Sequence, residues 1–248
     1  MKGNEAKIIS SINLKGGVGK TTTIQNLGIG LQQEGKKVLF IDLDVQRNLS
    51  FVLGASGNTL SVYDVLSGAD INEAIQTTEQ GDLIRGDFKL STLQGIPGDS
   101  LKKALSKLKK EYDYILIDTP PRTDNLTNNA LIASNEVIIP CNTDVFSLQG
   151  LLTEIEVIEG MKKYNQDLSV NGIVITHYEQ RARINEQLRK SIESQAEKLG
   201  VKVYKTPIRK NIAIKKAQAL RTNIFEYDSR SNGAEDYRNL VKEFLENE

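Results

Sequence analysis

The chain has 248 residues, with 32 basic and 32 acidic side chains, one cysteine and no tryptophan. Because the net charge is zero, the charge balance of the whole chain neither favours nor excludes a nucleic-acid or membrane partner. No apolar run approaches the roughly 20 residues that a membrane-spanning helix needs, and the N-terminus lacks the apolar core of a secretory signal. One cysteine excludes an intrachain disulfide and a cysteine-rich metal site. These features predict a cytoplasmic protein.

Short apolar runs alternate with amphipathic stretches, which is typical of a parallel sheet covered by helices on both faces. The runs predicted to form strands are 7–13, 37–42, 113–118, 136–141, 170–176 and 201–205. Apolar residues at helical spacing predict helices at 24–31, 148–158 and 184–199, and shorter ones at 60–66 and 101–110. Residues 1–248 are therefore predicted to form a single α/β domain with a mostly parallel sheet.

A glycine-rich loop joins the first strand to the first helix in residues 10–22, SSINLKGGVGKTT. The residues whose backbone N–H groups can point at phosphate oxygens are Gly16, Gly17, Val18 and Gly19. The helix adds its positive N-terminal dipole, Lys20 supplies a charge for the β- and γ-phosphates, and the Thr21 hydroxyl can bind Mg²⁺. The alternative, an ordinary turn with an exposed lysine, does not explain why the loop, the Lys-Thr pair and the flanking elements agree.

This loop differs from the common P-loop pattern G-x-x-x-x-G-K-[ST] at its start. Leu14 stands where the first glycine is expected, and a second lysine, Lys15, follows it.

Carboxylates end two of the predicted strands. Asp118 closes YILID and is expected to contribute to the magnesium site beside the phosphates. Asp42 and Asp44 end the second strand, and residues two apart in extended chain point the same way. One is expected to hold the metal's water shell and the other to orient the attacking water, although each could be a solvated loop residue.

Three segments, KGGVGKTT, DLDVQRN and YILIDTPP, resemble the deviant Walker A, Walker A′ and Walker B segments of the ParA/MinD ATPases. EVIIPCNTDVFSLQGL and TPIRKNIAIKKA resemble later segments of that family in the same order, so the resemblance covers nearly the whole chain. It implies a three-layer P-loop NTPase fold, a twisted sheet, and ATP and Mg²⁺ as cofactors. The absence of an NKxD guanine signature also favours ATP.

The resemblance implies a face-to-face homodimer that encloses two ATP molecules, with Lys15 of each protomer reaching the partner's phosphates. Asp44 would position the attacking water, and Lys15 and Lys20 would complete the catalytic set. The implied metal-site residues are Thr21, Asp42 and Asp118. The implied ATP-binding residues are Lys15, Gly16, Gly17, Val18, Gly19, Lys20, Thr21, Thr22, Pro207 and Asn211.

Two segments depart from the family pattern. The family often has DPQGN where this chain has DVQRN, so Val45 and Arg47 replace a proline and a glycine in the first switch loop. The adenine-side segment often reads IPRN, whereas this chain has PIRKN, which shifts Pro207 but keeps Asn211 in place.

Charge is unevenly distributed along the chain. Residues 181–221 contain twelve lysines and arginines and three glutamates, a net charge of +9, so the remainder carries −9. This asymmetry predicts a surface for DNA backbone phosphates without base-specific readout, and scattered helix-face charge is the alternative. The predicted DNA-binding residues are Arg183, Arg189, Lys215, Lys216 and Arg221.

The C-terminal stretch 234–248 carries an apolar stripe at helical spacing, but its polar positions hold five acids and two bases. That sign is wrong for an anionic membrane, so the stripe is predicted to pack on the sheet. His177 is predicted to be a loop or edge residue, and Cys141 a buried one.

The predicted function is that of a DNA-partition ATPase. Mg-ATP would promote a dimer that binds nonspecific double-stranded DNA on the nucleoid, and a ParB-like centromere-binding protein would stimulate its slow hydrolysis. The alternative is an ATP-gated regulator or protein-positioning switch that has no role in segregation, and membrane positioning is a third reading.

Overall fold

The computed structural model describes residues 5–108 and 112–246 and is built around a seven-stranded sheet. The strands are β1 (Lys7–Ser11), β2 (Val38–Asp42), β3 (Ile75–Thr78), β4 (Gly81–Ile84), β5 (Tyr114–Asp118), β6 (Glu136–Asn142) and β7 (Ser169–Thr176). They lie side by side in the order β3-β4-β2-β5-β1-β6-β7, and every neighbouring pair is parallel except β3 with β4.

Helices connect these strands and cover both faces of the sheet. They are α1 (Lys20–Gln33), α2 (Asn48–Val52), α3 (Val62–Leu66), α4 (Ile71–Ala74), α5 (Ser100–Leu105), α6 (Asn125–Ala133), α7 (Val145–Met161), α8 (Arg183–Lys198), α9 (Ile212–Ala219), α10 (Ile224–Tyr227) and α11 (Asn232–Leu245). A short 3₁₀ helix covers Phe88–Thr92. The sheet and the two helical layers form the three-layer α/β fold expected from the sequence.

Successive residues of the central strands enter cores on opposite faces, as the two-residue period of a strand requires. In β2, Phe40 packs in the core that contains α1 and α11, whereas Leu39 and Ile41 pack in the core that contains α3 to α6. A third core lies under α7 and α8, against β6 and β7. The apolar stripe of α11 lies in the first core, where the Phe244 ring meets the Tyr114 ring edge to face at 5.8 Å.

The central strands set the position of the functional groups. β5 lies between β2 and β1, and Asp118 is the register partner of both Asp42 and Ser11. Because these strands are parallel, their carboxyl ends meet at one edge of the sheet. The loop after β1 therefore lies beside both aspartates.

The strands predicted at the first five apolar runs are present, with ends that differ by one or two residues. The predicted helices are present as well. The helix expected over 101–110 is shorter, Ser100–Leu105, and residues 109–110 lie outside the described residues.

The strand predicted over 201–205 is wrong. This segment makes a single bridge, from Val203 to Ile173, and it meets β7 again only where the Ile208 N–H donates to the Ile175 carbonyl. The Thr206 N–H, which a continuous ladder would direct at β7, donates instead to Oε2 of Glu243 at 3.2 Å, so no ladder forms along this stretch.

The sequence also did not predict the hairpin of β3 and β4. Its strands have four residues each, and the only buried side chain of β3 is polar, Gln76. Without alternating apolar residues, β3 carried no strand signal.

Helix α1 approaches the sheet closely at Gly28, where an added Cβ would lie 2.2 Å from Cε1 of Phe40 and 2.9 Å from Cδ1 of Leu116. We expect Gly28→Ala to lower the free energy of unfolding by about 1–3 kcal/mol through overpacking, measured by urea denaturation. Gly150→Ala in α7 is the control, because a Cβ added there would have no heavy atom within 4 Å. Alanine at that position is expected to raise stability by about 0.5–1 kcal/mol. Equal stability of the Gly28 variant and the wild type would contradict this close approach.

Candidate nucleotide-binding site

The glycine-rich loop between β1 and α1 is built on left-handed backbone. Gly17 has a φ of 74° and Gly19 a φ of 90°, a region that glycine adopts at little cost. Gly19 directly precedes α1, and its carbonyl accepts the first helical hydrogen bond from Thr23 at 2.8 Å. Val18 is fully buried, and its carbonyl accepts from the Thr176 hydroxyl at 2.8 Å. The loop thus has the fixed, inward-turned form that suits a phosphate site.

Lys20 bridges the two sides of this loop. Its ammonium donates to the carbonyl of Asn13 at 2.8 Å and to that of Lys15 at 3.3 Å. Burial lowers the pKa of Lys20, and the nearby carboxylates of Asp118 and Asp44 partly oppose that shift. A buried cation is thereby placed at the centre of the loop, where an anionic phosphate would complete its charge balance.

The start of the loop is fastened to β6 and α7. The Asn13 amide donates to the Pro140 carbonyl at 2.8 Å and accepts from the Lys15 N–H at 2.8 Å. The Leu14 N–H donates to Oε1 of Glu154 at 3.2 Å. Glu154 is 3% exposed, and burial raises the pKa of its carboxyl to about 7. At this position, where the common pattern has glycine, a side chain from α7 holds the backbone.

The second lysine of the loop points away from Lys20. The Lys15 ammonium lies 2.6 Å from Oδ2 of Asp144, the residue that caps α7, and both side chains are about a third or more exposed. Although burial opposes it, hydrogen bonds from Lys15 and from the Ser147 N–H lower the pKa of Asp144. Lys15 therefore lies at the surface and outside the cavity described below.

The predicted metal site is assembled at the strand ends. The Thr21 hydroxyl donates to Oδ2 of Asp118 at 2.6 Å. Oδ1 of Asp118 is buried and has no hydrogen-bond partner among the described residues. Burial, and next the charge of Asp42, raise the pKa of Asp118 well above its ordinary value. A divalent cation would satisfy the orphaned oxygen and remove this penalty, so Thr21 and Asp118 fit Mg²⁺.

Asp42 is fully buried and hydrogen-bonded, whereas the sequence alone leaves open that it is a solvated loop residue. Its Oδ2 accepts from the Ser50 hydroxyl at 2.6 Å and from the Ser50 N–H at 2.8 Å, and its Oδ1 accepts from the Asp44 N–H at 3.1 Å. Burial raises the pKa of Asp42 to about 6 despite these donors. Asp42 therefore links the end of β2 to α2, and it lies beside Asp118 in the register of the sheet.

A cavity of about 630 Å³ lies beside the loop and has the size of a ligand site. The sequence-predicted residues that line it are Gly16, Gly17, Gly19, Lys20, Thr21, Thr22, Asp44, Asn211 and Lys215. Asn211 caps α9 by accepting from the Ala213 N–H at 2.8 Å. From the preceding segment, residues 208–210 line the cavity, whereas Pro207 does not.

Further lining residues escaped sequence reasoning, among them His177, Gln218 and Tyr237. His177 follows β7 in a left-handed conformation, and its Nδ1 lies 2.9 Å from Oδ1 of Asn142. Burial, and next the charges of Lys215 and Lys210, lower its pKa. Gln218 donates to the Thr22 hydroxyl at 2.8 Å and so ties α9 to α1. No local motif marks these residues, because strands and helices distant in sequence bring them together.

The five predicted DNA-binding residues have different surroundings. Lys215, Lys216 and Arg221 are exposed, and Arg183 lies at the exposed start of α8. Arg189 is partly buried, pairs with Glu193 at 2.7 Å and donates to the Lys205 carbonyl at 3.0 Å. Four of the five side chains are thus open to solvent, and Arg189 is engaged within the fold.

The fold and this site define a P-loop NTPase, and comparisons with known proteins agree. A family model described as an AAA domain matches residues 6–170. The chain is 39% identical to the sporulation initiation inhibitor protein Soj of Bacillus subtilis, over 97% of this chain and 99% of the relative. It is 37% identical to the chromosome-partitioning ATPase Soj of Treponema pallidum, over 96% and 97% of the two chains.

Solved structures give the same result. Cobyrinic acid a,c-diamide synthase of Mycobacterium smegmatis, with bound ADP and magnesium, has a TM-score of 0.82 and 28% identity over 96% of this chain and 93% of that one. The septum site-determining protein MinD of Pyrococcus horikoshii, complexed with Mg-ADP, has a TM-score of 0.79 and 26% identity over 96% and 95%. The chain belongs to the ParA/MinD family of P-loop ATPases and is an Mg²⁺-dependent ATPase.

Among the described residues, no helix combines the length and the apolarity that crossing a membrane requires.

The buried carboxyl of Glu154 should make the stability of the protein depend on pH. Because its pKa is raised in the folded protein, its contribution to stability is present below pH 4.5 and is lost as the pH rises through about 7. Relative to wild type, Glu154→Gln is expected to gain about 1–3 kcal/mol in the free energy of unfolding between pH 4.5 and pH 8, measured by urea denaturation. Glutamine keeps an acceptor for the Leu14 N–H.

The control is Glu156→Gln, two residues further along α7 and on its exposed side. Its stability difference from wild type is expected to change little between the two pH values. A difference for Glu154→Gln that is equally independent of pH would contradict the burial of its charge.

Proposed function

We propose that the protein is a DNA-partition ATPase of the ParA type. In this proposal Mg-ATP drives a sandwich homodimer that binds nonspecific double-stranded DNA on the nucleoid. Hydrolysis stimulated by a ParB-like centromere-binding protein resets the dimer.

The observation that carries the proposal is the position of α9. Its N-cap Asn211 and its residue Lys215 line the nucleotide cavity, and both Lys215 and the next residue, Lys216, are exposed to solvent. Gln218 of the same helix bonds to Thr22 beside the phosphate loop. One helix thus belongs both to the nucleotide cavity and to the basic surface, so a nucleotide that shifts it also shifts the cations that would meet DNA.

The placement of Lys15 supports the dimer. Its ammonium is held at the surface by Asp144, away from the cavity of its own chain. The next residues on α7, Val145 and Phe146, are 65% and 75% exposed. Exposed apolar side chains around a movable cation are suited to an interface with a second copy, whose phosphates Lys15 would then contact.

Asp44 supports the hydrolytic step. It lines the cavity, and its Oδ1 accepts from the Gln46 N–H at 3.0 Å, which leaves Oδ2 to orient a water molecule. Bound magnesium would neutralise phosphate charge, while Lys20 supplies a fixed cation and Asp44 directs the nucleophile.

The decisive test is binding to a random-sequence duplex with ATP, with ADP and without nucleotide, measured by fluorescence anisotropy across a salt series. We expect binding only with ATP, weakening steeply with salt because phosphate contacts release counterions. Lys216→Ala is expected to weaken binding and to reduce the salt slope by about 1, the value for one phosphate that is no longer neutralised. Lys103→Ala on α5, whose side chain is 69% exposed, is the matched control and should bind as wild type.

Absence of duplex binding with every nucleotide would make the DNA role wrong. The alternative, an ATP-gated regulator or protein-positioning switch, would then replace it, because the ATPase site does not depend on DNA.

Lys15→Ala tests the dimer separately. We expect the variant to lose ATP-dependent dimerisation in analytical ultracentrifugation, because no cation would bridge the protomers. It should keep ATP binding to the monomer within a few-fold, measured with a fluorescent nucleotide. Lys162→Ala, a partly exposed lysine at the other end of α7, is the control and should dimerise normally. A Lys15 variant that dimerises like wild type would overturn this role.

A further inference from the structure

Arginine occupies left-handed backbone at two positions beside the first switch loop. Among the described residues, the non-glycine residues with positive φ are Arg47 at 58°, His177 at 51° and Arg221 at 55°. This conformation costs a residue with a Cβ roughly 1–2 kcal/mol relative to the right-handed region. The two arginines border the same cavity, which differs from the larger cavity beside the phosphate loop.

This second cavity has a volume of about 470 Å³. Its lining includes Arg47, Phe51, Arg85 and Arg221. The lining residues include three arginines and no aspartate or glutamate. Arg85 pairs with Asp87, so Arg47 and Arg221 are the guanidinium groups at this cavity that have no ion pair among the described residues, and they favour an anionic ligand.

Arg47 finds no partner for its charge within the part of the chain that the structure describes. Its N–H donates to the Asp44 carbonyl at 2.9 Å, and its carbonyl accepts from the Phe51 N–H at 2.9 Å. Its side chain is exposed, makes no ion pair with the described residues, and takes no part in capping α2. Glycine would adopt this backbone more easily, so the fold itself gains nothing from arginine here.

Arg221 reaches the cavity from the end of α9. Its guanidinium lies 4.3 Å from the ring centre of Phe51, which is 47% exposed. The third arginine, Arg85, donates to the Thr59 carbonyl at 2.7 Å and pairs with Asp87 at 3.3 Å. Its guanidinium is therefore already engaged by groups of the protein. Arg47 and Arg221 therefore supply the groups that can close on a ligand.

We propose that this cavity is a second anion site that takes a backbone phosphate of duplex DNA, held by Arg47 and Arg221. The inference rests on the proposed DNA-binding function and extends its surface from α9 to the switch loop. A DNA phosphate is favoured over other anions because Arg221 directly continues the basic surface of α9. The bond from Arg47 to the Asp44 carbonyl then places DNA in contact with the loop that carries the water-positioning carboxylate.

The test is Arg47→Gly, which removes the guanidinium and suits the left-handed backbone. With saturating ATP and a random-sequence duplex, we expect affinity to fall about 5- to 10-fold near 0.1 M salt, with a salt slope smaller by about 0.9 for the one phosphate left without its cation. Arg47→Lys keeps the charge and should keep the slope. Lys103→Ala removes an equal charge elsewhere and should change neither value.

Two measurements accompany the binding series. The melting temperature of Arg47→Gly should not fall, which shows that the variant is folded. Its affinity for a fluorescent ATP analogue shows whether saturation with nucleotide has been reached.

The outcomes separate this inference from the function on which it rests. Wild-type binding that Arg47→Gly reproduces in affinity and slope overturns the phosphate site and leaves the DNA-binding function standing. A loss of DNA binding that disappears at saturating ATP also overturns it. A wild-type protein that binds no duplex with any nucleotide overturns both.

Discussion

The structure depends on two carboxylates that are buried side by side at the carboxyl ends of neighbouring strands of the sheet. Asp42 and Asp118 are fully buried register partners, with the ammonium of Lys20 close by. Buried like charges are costly unless donors and a counter-charge surround them. The arrangement explains why Ser50 supplies two hydrogen bonds and why Thr21 is held against Asp118. It also explains why an orphaned oxygen remains where magnesium fits.

Hydrogen bonds around these carboxylates and the phosphate loop also reach elements that are distant in sequence. Ser50 belongs to α2, and its hydroxyl also accepts from the Gly86 N–H at 2.8 Å after β4. On the other side, Gln218 of α9 bonds to Thr22 of α1. Direct hydrogen bonds thus join the end of β2 to α2 and the start of α1 to α9. The exposed cations Arg47 and Lys216 lie at the start of α2 and within α9.

The two loop lysines divide their tasks by burial. Lys20 is 7% exposed, is fixed by carbonyls of its own loop, and lines the adjacent cavity. Lys15 is held by one solvent-accessible ion pair, which is worth little and can be exchanged for another anion. Leu14, the residue before Lys15, donates its N–H to Glu154. This bond holds the loop at the position where the common P-loop pattern has glycine.

The sequence by itself determined the features whose physics is local. The phosphate loop, the acids that end β2 and β5, and the alternation of five strands with helices follow from backbone freedom and residue period over short stretches. The tertiary structure alone decided which distant groups meet. Glu154 and Asp144 reach a loop some 130 to 140 residues earlier, His177 enters the cavity from β7, and Arg47 and Arg221 share one cavity. Glu243 of α11 likewise takes the N–H groups of Lys205 and Thr206, where the sequence predicted the end of a strand. Such contacts arise from the order of the parallel strands in the sheet, which brings the ends of strands together irrespective of their separation in sequence.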